Sequence, residues 1–357
     1  MNLIYEGSVK DIYELEKNEE LLFKFSNRFS VFDWGAMPNE IPSKGESLAR
    51  MSAAFFEMIS SKEQWQNLDL PVGSYTELLN KLKTIGGNHH LINHDESDCS
   101  LRVKKIDVHR PEFLGSSWDY SIYQTKPTNC LVPLEVIFRW GMPSGSSLKK
   151  RINDETYCQE LGLTTPVVEN TLWDSPIIEF STKLENVDRI ISYSEAKEIA
   201  GLSEREFDEL KNLSLLLAHQ LKRVFGKSQI TLWDGKFEFG FGEHRELMVV
   251  DSIGPDELRL TFDKLKLSKE CLRDFYRSTS WFEASKEAKV IAKERELLDW
   301  QGICADELQE TPPQLPAHLA EHLTHVYQAV TNAFYFGLNK APCYPFAPKL
   351  NELRPLK

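Results

Sequence analysis

Residues 232–240 read LWDGKFEFG and residues 249–263 read VVDSIGPDELRLTFD. Each is an apolar, strand-like run carrying acidic groups. Asp234, Lys236 and Glu238 alternate along the first run, so a strand places all of them on one face. Asp251 closes the apolar start of the second run, and Arg259 follows it. A hairpin brings Glu238 and Asp251 together at the mouth of a cleft. Two carboxylates, Lys236 and Arg259 can there hold a magnesium nucleotide and an anionic substrate at once. The same alternation also fits a half-exposed sheet face of mixed charge.

The chain around this stretch has 357 residues, enough for one large domain or two ordinary ones. It is 41% hydrophobic and 27% charged, the composition of a soluble globular protein. No apolar run is long enough to span a bilayer. The start, MNLIYEGSVKDIYELEKNEE, is acidic and lacks the basic-then-apolar pattern of a secretion signal. Six cysteines stand far apart with no CxxC pair, which favours reduced thiols in the cytoplasm over disulfides or a zinc site. A net charge of −12 argues against a nucleic-acid partner but leaves room for a local basic pocket. An oligomer is compatible with all of this.

YEGSVKDIYEL (5–15) and LLFKFSNRFSVFD (21–33) read as a β-meander around a turn-like KNEE (17–20). SLARMSAAFFEMISS (47–61) reads as a helix, SLRVKKIDV (100–108) as a strand, and 109–129 as an irregular inserted loop. LVPLEVIFRW (131–140) reads as a buried strand and 203–226 as an amphipathic helix ended by Gly226. A shorter helix follows over 268–279, then a charged helical segment within 280–310, and a helix leading to Gly337. Residues 338–357 read as an irregular tail. Strands and helices without regular βαβ alternation point to α+β with antiparallel sheets. Gly7 permits a tight turn against a phosphate that Lys10 can reach, although a plain hairpin serves equally. Arg139, leaving a strand beside Gly145 and Ser146, suits a phosphomonoester. His89 and His90 are adjacent, so a strand points them to opposite faces and away from shared metal ligation.

Taken in order, these blocks resemble the SAICAR synthetase family, the phosphoribosylaminoimidazole-succinocarboxamide synthases of purine biosynthesis. The core stretch matches its D-x-K-x-E-F-G strand through Asp234, Lys236, Glu238, Phe239 and Gly240, then Asp251, Ile253, Asp256, Arg259 and Asp263. Ser252 stands where most members have a second acid. The opening Y-E-G-K-x-[KR]-D-I-Y is matched by Tyr5, Glu6, Gly7, Lys10, Asp11, Ile12 and Tyr13, with Ser8 in place of the first lysine. Arg28, Ser30, Phe32, Asp33, Ile41, Pro42, Lys44, Gly45 and Glu46 follow the next motif. Lys104, Lys105, Pro133, Glu135, Val136, Arg139, Gly145, Ser146, Lys150 and Arg151 follow the third. Here Ser146 lies seven residues after Arg139, against six in the family. Ser181, Thr182, Lys183 and Glu185 match an S-T-K-x-E motif within TPVVE (165–169) and SPIIEFSTKLENVDR (175–189).

The resemblance implies a two-lobed α+β fold. A small antiparallel β-rich lobe, 1–130, would bind nucleotide, and a larger α/β lobe, 131–357, would carry the substrate and metal site, with the nucleotide cleft between them. Insertions are expected at 109–129 and 280–310. The implied reaction is ATP-dependent joining of L-aspartate to CAIR, a phosphoribosyl-aminoimidazole carboxylate, through an acyl phosphate. Gly7, Ser8, Lys10, Lys104 and Glu135 would serve ATP, and Glu238 and Asp251 would hold Mg²⁺. Arg139, Gly145, Ser146, Asp33, Lys44 and Lys183 would hold substrate. Lys236, Asp251, Arg259 and Asp234 would act in catalysis, with Asp33 or Asp234 taking the amine proton. A related amide ligase acting on another heterocyclic carboxylate is the alternative.

Overall fold

A computed structural model describes residues 1–16, 19–115, 117–163 and 166–354. The KNEE turn, Thr165 of TPVVE and the end of the tail fall wholly or partly outside these. The chain opens with β1 (Asn2–Glu6), β2 (Lys10–Glu14) and β3 (Glu20–Phe25). Helices α1 (Lys44–Ser60), α2 (Lys62–Gln66) and α3 (Thr76–Ile85) precede β4 (Leu91–Asp95) and β5 (Ser100–Lys104). These strands form one antiparallel sheet in the order β1-β2-β3-β5-β4. The stretch 21–33, expected as one strand, stops pairing at Phe25. Beyond it the chain turns through Phe32 (φ 56°) and Asp33 (φ 64°), a conformation no strand adopts.

Residues 109–129 are less irregular than expected. They hold a small hairpin, β6 (Glu112–Phe113) with β7 (Trp118–Asp119), and the turn of helix α4 (Ser121–Gln124). Tyr120 and Tyr123 anchor them in the core, with hydroxyls donating to Glu185 at 3.0 Å and to the His109 carbonyl at 2.8 Å.

The larger sheet begins with β8 (Cys130–Gly141). After α5 (Glu155–Glu160) come β9 (Leu172–Thr182) and β10 (Ile190–Ile191), then α6 (Tyr193–Ile199) and α7 (Glu204–Gly226). The decisive stretch supplies β11 (Thr231–Phe241), β12 (Leu247–Val250) and β13 (Leu258–Phe262), followed by β14 (Leu265–Lys266). The order is β10-β9-β8-β11-β13-β14, with β12 pairing with β11 beyond the end of β13. Every pairing is antiparallel. Helices α8 (Glu270–Arg277), α9 (Ser280–Glu294), α10 (Trp300–Gly302) and α11 (Ala317–Gly337) complete the chain. The charged helical segment expected within 280–310 thus holds α9, which ends at Glu294, and the short α10.

Period-two alternation sorts β11 into two faces. Phe237 and Phe239 point to the core, where Phe237 stacks on Phe138 (centroids 4.8 Å apart) and on Phe55 of α1 (6.1 Å). α7 and α11 cover this side, meeting through Phe225 and Phe334. α1 is buried almost all round, because it packs on both the small sheet and the large sheet's helices. One continuous apolar cluster thus runs from Phe23 to Leu353. A backbone seam also joins the two sheets: Val249 N donates to Asn88 O (3.0 Å), His90 N to Val249 O (3.1 Å) and Lys104 N to His90 O (2.8 Å). No helix among the described residues is long and apolar enough to cross a membrane.

Candidate active site

The other face of the large sheet is polar, and register assembles it. Asp234 pairs with Arg139 and Glu238 with Glu135 across β11–β8, while Asp234 pairs with Arg259 across β11–β13. Residues directly opposite in antiparallel strands share a face, so these side chains meet as neighbours. Arg139 Nη1 donates to Asp234 Oδ2 at 2.9 Å, and Arg259 approaches the same oxygen at 3.6 Å. Arg139 also pairs through Nε with Glu179, which Arg151 (2.7 Å) and the Tyr157 hydroxyl hold as well. The guanidinium plane is thereby fixed before any ligand arrives.

One residue pair further along, Lys236 contacts Glu135 at 2.5 Å and Glu238 at 3.7 Å, and Lys183 reaches Glu238 at 2.5 Å. The β11–β12 hairpin pairs Glu238 with Val250, so Asp251 lies beside Glu238 as the spacing predicts. Asp251 has φ 65°, which turns its carboxylate out of the strand. Lys10 of β2 crosses from the small sheet to pair with Asp251 and donates to Ser252 Oγ at 3.2 Å. Burial, then the neighbouring Asp251 charge, raises the pKa of Glu238. At Asp251, burial also opposes ionisation, but Lys10 and Lys183 outweigh it and hold that carboxyl well below the usual range. Burial acts against the charged form of Lys236 too, and Glu238 and Glu135 overcome it, so this ammonium stays protonated.

A cavity of about 310 Å³ opens over this face, lined by Glu135, Arg139, Asp234, Lys236 and Arg259. Lys269 and Arg273, four residues apart at the start of α8, also face it, as do Glu257 and Ser147. None of these four was among the residues expected from sequence. The i, i+4 spacing of two cations was the available signal for Lys269 and Arg273. Ser147 joins Ser146 beside Arg139: Ser146 Oγ accepts from Arg139 Nη1 at 3.5 Å, and of the two only Ser147 lines the cavity. Ser146 is 5% exposed and caps the short turn Ser147–Lys150, accepting from Leu148 N, whereas Ser147 Oγ accepts from Arg139 Nη2 at 3.3 Å. Gly145 (φ 77°) supplies the third position of the turn closed by Ser146 N to Pro143 O, a geometry that favours glycine, and does not line the cavity.

Other expected residues lie elsewhere. Lys44 is fully buried and pairs with Asp256 at 2.8 Å, so it supports the site from behind rather than lining it. Asp33 is 87% exposed at the rim, paired with Lys289, and its charge is felt by Asp188. Gly7 sits in the β1–β2 turn, where a Cβ would meet the Lys10 carbonyl at 2.5 Å. Arg28 pins that turn by donating to Gly7 O at 2.8 Å and pairing with Asp11. Ser8 lies in the same turn. Lys104 lines a separate cavity with Ile92 and Met248. His90 is buried, its Nε2 3.1 Å from the Asp251 carbonyl, and burial pushes its pKa down to about 3. Leu131, Met248 and Val250 form a small apolar cluster with Ile106 and Leu184 beside Asp251.

Glu238 and Asp251 are hard oxygen donors at a cleft edge. Mg²⁺ is commonly held by one or two carboxylates plus phosphate oxygens and water, and this donor set fits it. The described residues contain no group of three or more His, Cys, Asp or Glu side chains disposed for a metal.

Comparison with known proteins gives a consistent result. The sequence model of SAICAR synthetase matches residues 3–288. A phosphoribosylaminoimidazole-succinocarboxamide synthase of Thermoplasma acidophilum is 32% identical over 92% of this chain and 97% of its own. An Archaeoglobus fulgidus protein given that name provisionally is 38% identical over 97% of both chains. Among solved structures, a SAICAR synthase of Saccharomyces cerevisiae complexed with SAICAR superposes with a TM-score of 0.59 at 23% identity, covering 96% of each chain. A SAICAR synthetase in complex with ADP gives 0.53 at 22% identity, over 87% of this chain and 99% of its own.

Proposed function

The chain belongs to the SAICAR synthetase family, and from that premise we propose how its residues divide the work. The reaction is ATP-dependent ligation of L-aspartate to the carboxylate of CAIR, giving SAICAR, ADP and phosphate. A carboxylate resists amines because its oxygen leaves poorly. Phosphorylation by ATP converts that oxygen into a phosphate leaving group, and the amine of L-aspartate then displaces it.

The observation that carries the assignment is the division of one sheet face into two ends. At one end, Arg139, Ser147, Arg259, Lys269 and Arg273 gather around the cavity and suit the ribose phosphate of CAIR. At the other, Lys10, Glu238 and Asp251 suit the nucleotide phosphates. Glu238 and Asp251 would hold Mg²⁺, which when bound neutralises phosphate charge. Lys236 lies between the two ends and stabilises charge developing on the carboxylate and the transferred phosphoryl group. Substrate orientation comes from Arg139, whose plane Asp234 and Glu179 fix. Asp234 Oδ2 is spanned by two guanidiniums, so it serves as their anchor. Asp188 is exposed, yet partial desolvation and then Glu135 push it up to about 6, so it is suited to take the amine proton near neutral pH.

The test is ADP release by purified protein with Mg-ATP and CAIR, with and without L-aspartate. Turnover requiring all three, with succinocarboxamide as product, is expected. Tight Mg-ATP binding without CAIR turnover would overturn the reading.

A further inference from the structure

The loop around Asp33 does not hold its shape alone. Phe32 and Asp33 are consecutive non-glycine residues with left-handed backbones. The contacts that fix them come from the segment 280–302, far along the chain. Lys289 Nζ on α9 donates to the Phe32 carbonyl and pairs with Asp33 Oδ2, each at 3.0 Å. Gln301 Nε2 on α10 donates to the Asp33 carbonyl at 3.0 Å. Trp34 is wedged between Trp281 (5.5 Å) and Trp300 (5.6 Å), both edge-on, and Phe32 packs on Phe282 at 4.7 Å. Lys289 also lies over the Trp300 ring at 4.5 Å, which fixes the ammonium itself.

We propose that the segment 280–302 is a clamp that sets the Phe32–Trp34 loop at the rim of the substrate cleft, with Lys289 as the positioning residue for Asp33. This rests on the functional reading above together with the substrate contact that the family resemblance implies for Asp33. The clamp grips from the outer side and leaves the nucleotide end, on Lys10, Glu238 and Asp251, untouched. Its loss therefore acts on the non-nucleotide substrates and spares ATP. Lys289 is itself partly exposed, so replacing it leaves the core intact.

Lys289→Ala and Gln301→Ala are compared with Lys289→Arg and the unaltered enzyme, measuring KM for ATP, CAIR and L-aspartate. The alanine variants are expected to raise KM for CAIR or L-aspartate about tenfold with KM for ATP unchanged, and arginine to restore it. Unchanged constants for both would overturn the clamp, as would a parallel rise in all three that arginine fails to restore. An unaltered enzyme that makes no succinocarboxamide would instead refute the functional reading, and so separates the two failures.

Discussion

Two lysines reach the turn between β12 and β13 from different directions. Lys10 arrives from the small sheet and pairs with Asp251, the side chains being 15% and 23% exposed. Lys44 arrives from α1 and pairs with Asp256, at 0% and 7%. Chemically the pairs are alike, yet both groups of the first are open to water, whereas in the second Lys44 is sealed and only Asp256 borders the cavity. Lys10 can exchange its carboxylate for a phosphate, because neither charge is left dry during the exchange. Lys44 has no such alternative, and Asp256 accepts from the Tyr327 hydroxyl as well. The first pair is a contact that a ligand can replace. The second is an internal strut, costly to leave half-made.

The comparison breaks most visibly at the strut. Lys44→Ala strands Asp256 and is expected to cost about 3–5 kcal/mol in denaturant unfolding, whereas Lys44→Met, which keeps the volume, retains more stability than Asp256→Ala. Equal midpoints for Lys44→Ala and the unaltered protein would show that the strut carries nothing. At the exchangeable pair the effect moves to rate. Asp251→Asn should lower kcat by about 10²–10³-fold, or about 3–4 kcal/mol, with only a small shift in unfolding midpoint. A large midpoint shift with normal kcat would make the two pairs equivalent.

A smaller effect lies between the pairs. Burial, with Asp256 and Asp251 adding, raises Glu257 to about 7 from an ordinary 4.5. Because the folded value lies above the unfolded one, its contribution is fully present below about pH 4.5 and is lost as pH rises through about 7. Glu257→Gln should therefore flatten the stability profile between about pH 5 and pH 8 by about 1–2 kcal/mol, as read from unfolding at each pH. Parallel profiles would place Glu257 outside the field of the two aspartates.

How much of this was legible in sequence depended on whether the signal was local. The β11 face could be read because alternation is a property of neighbouring residues, and Asp234, Lys236 and Glu238 do share it. β9 was harder. Pro176 interrupts its pattern, and the structure absorbs it where the β8–β9 register shifts between Arg139 and Gly141. Lys44 and Lys236 look alike in their motifs, and only the tertiary packing of α1 seals the first away. Lys269 and Arg273 sat in a helix whose sequence reads as architecture, and nothing local says that its N-terminal end faces a cavity. Asp33 was read as lining the cleft, but its place depends on residues more than two hundred and fifty positions away.

The seam along Asn88–His90 has a consequence for motion. It ties the strand carrying Val249 and Val250 to the end of β5, so the small sheet and the carboxylate of Asp251 move as one body. Opening the cleft by swinging the small sheet would shear the two main-chain bonds between Asn88–His90 and Val249, and deuterium uptake at His90 and Val249 should accordingly be among the slowest in the protein. Nucleotide entry then falls to the β1–β2 turn, which is held to the rest of the lobe by Arg28 at Gly7 O and by Ser26 at Val9 O.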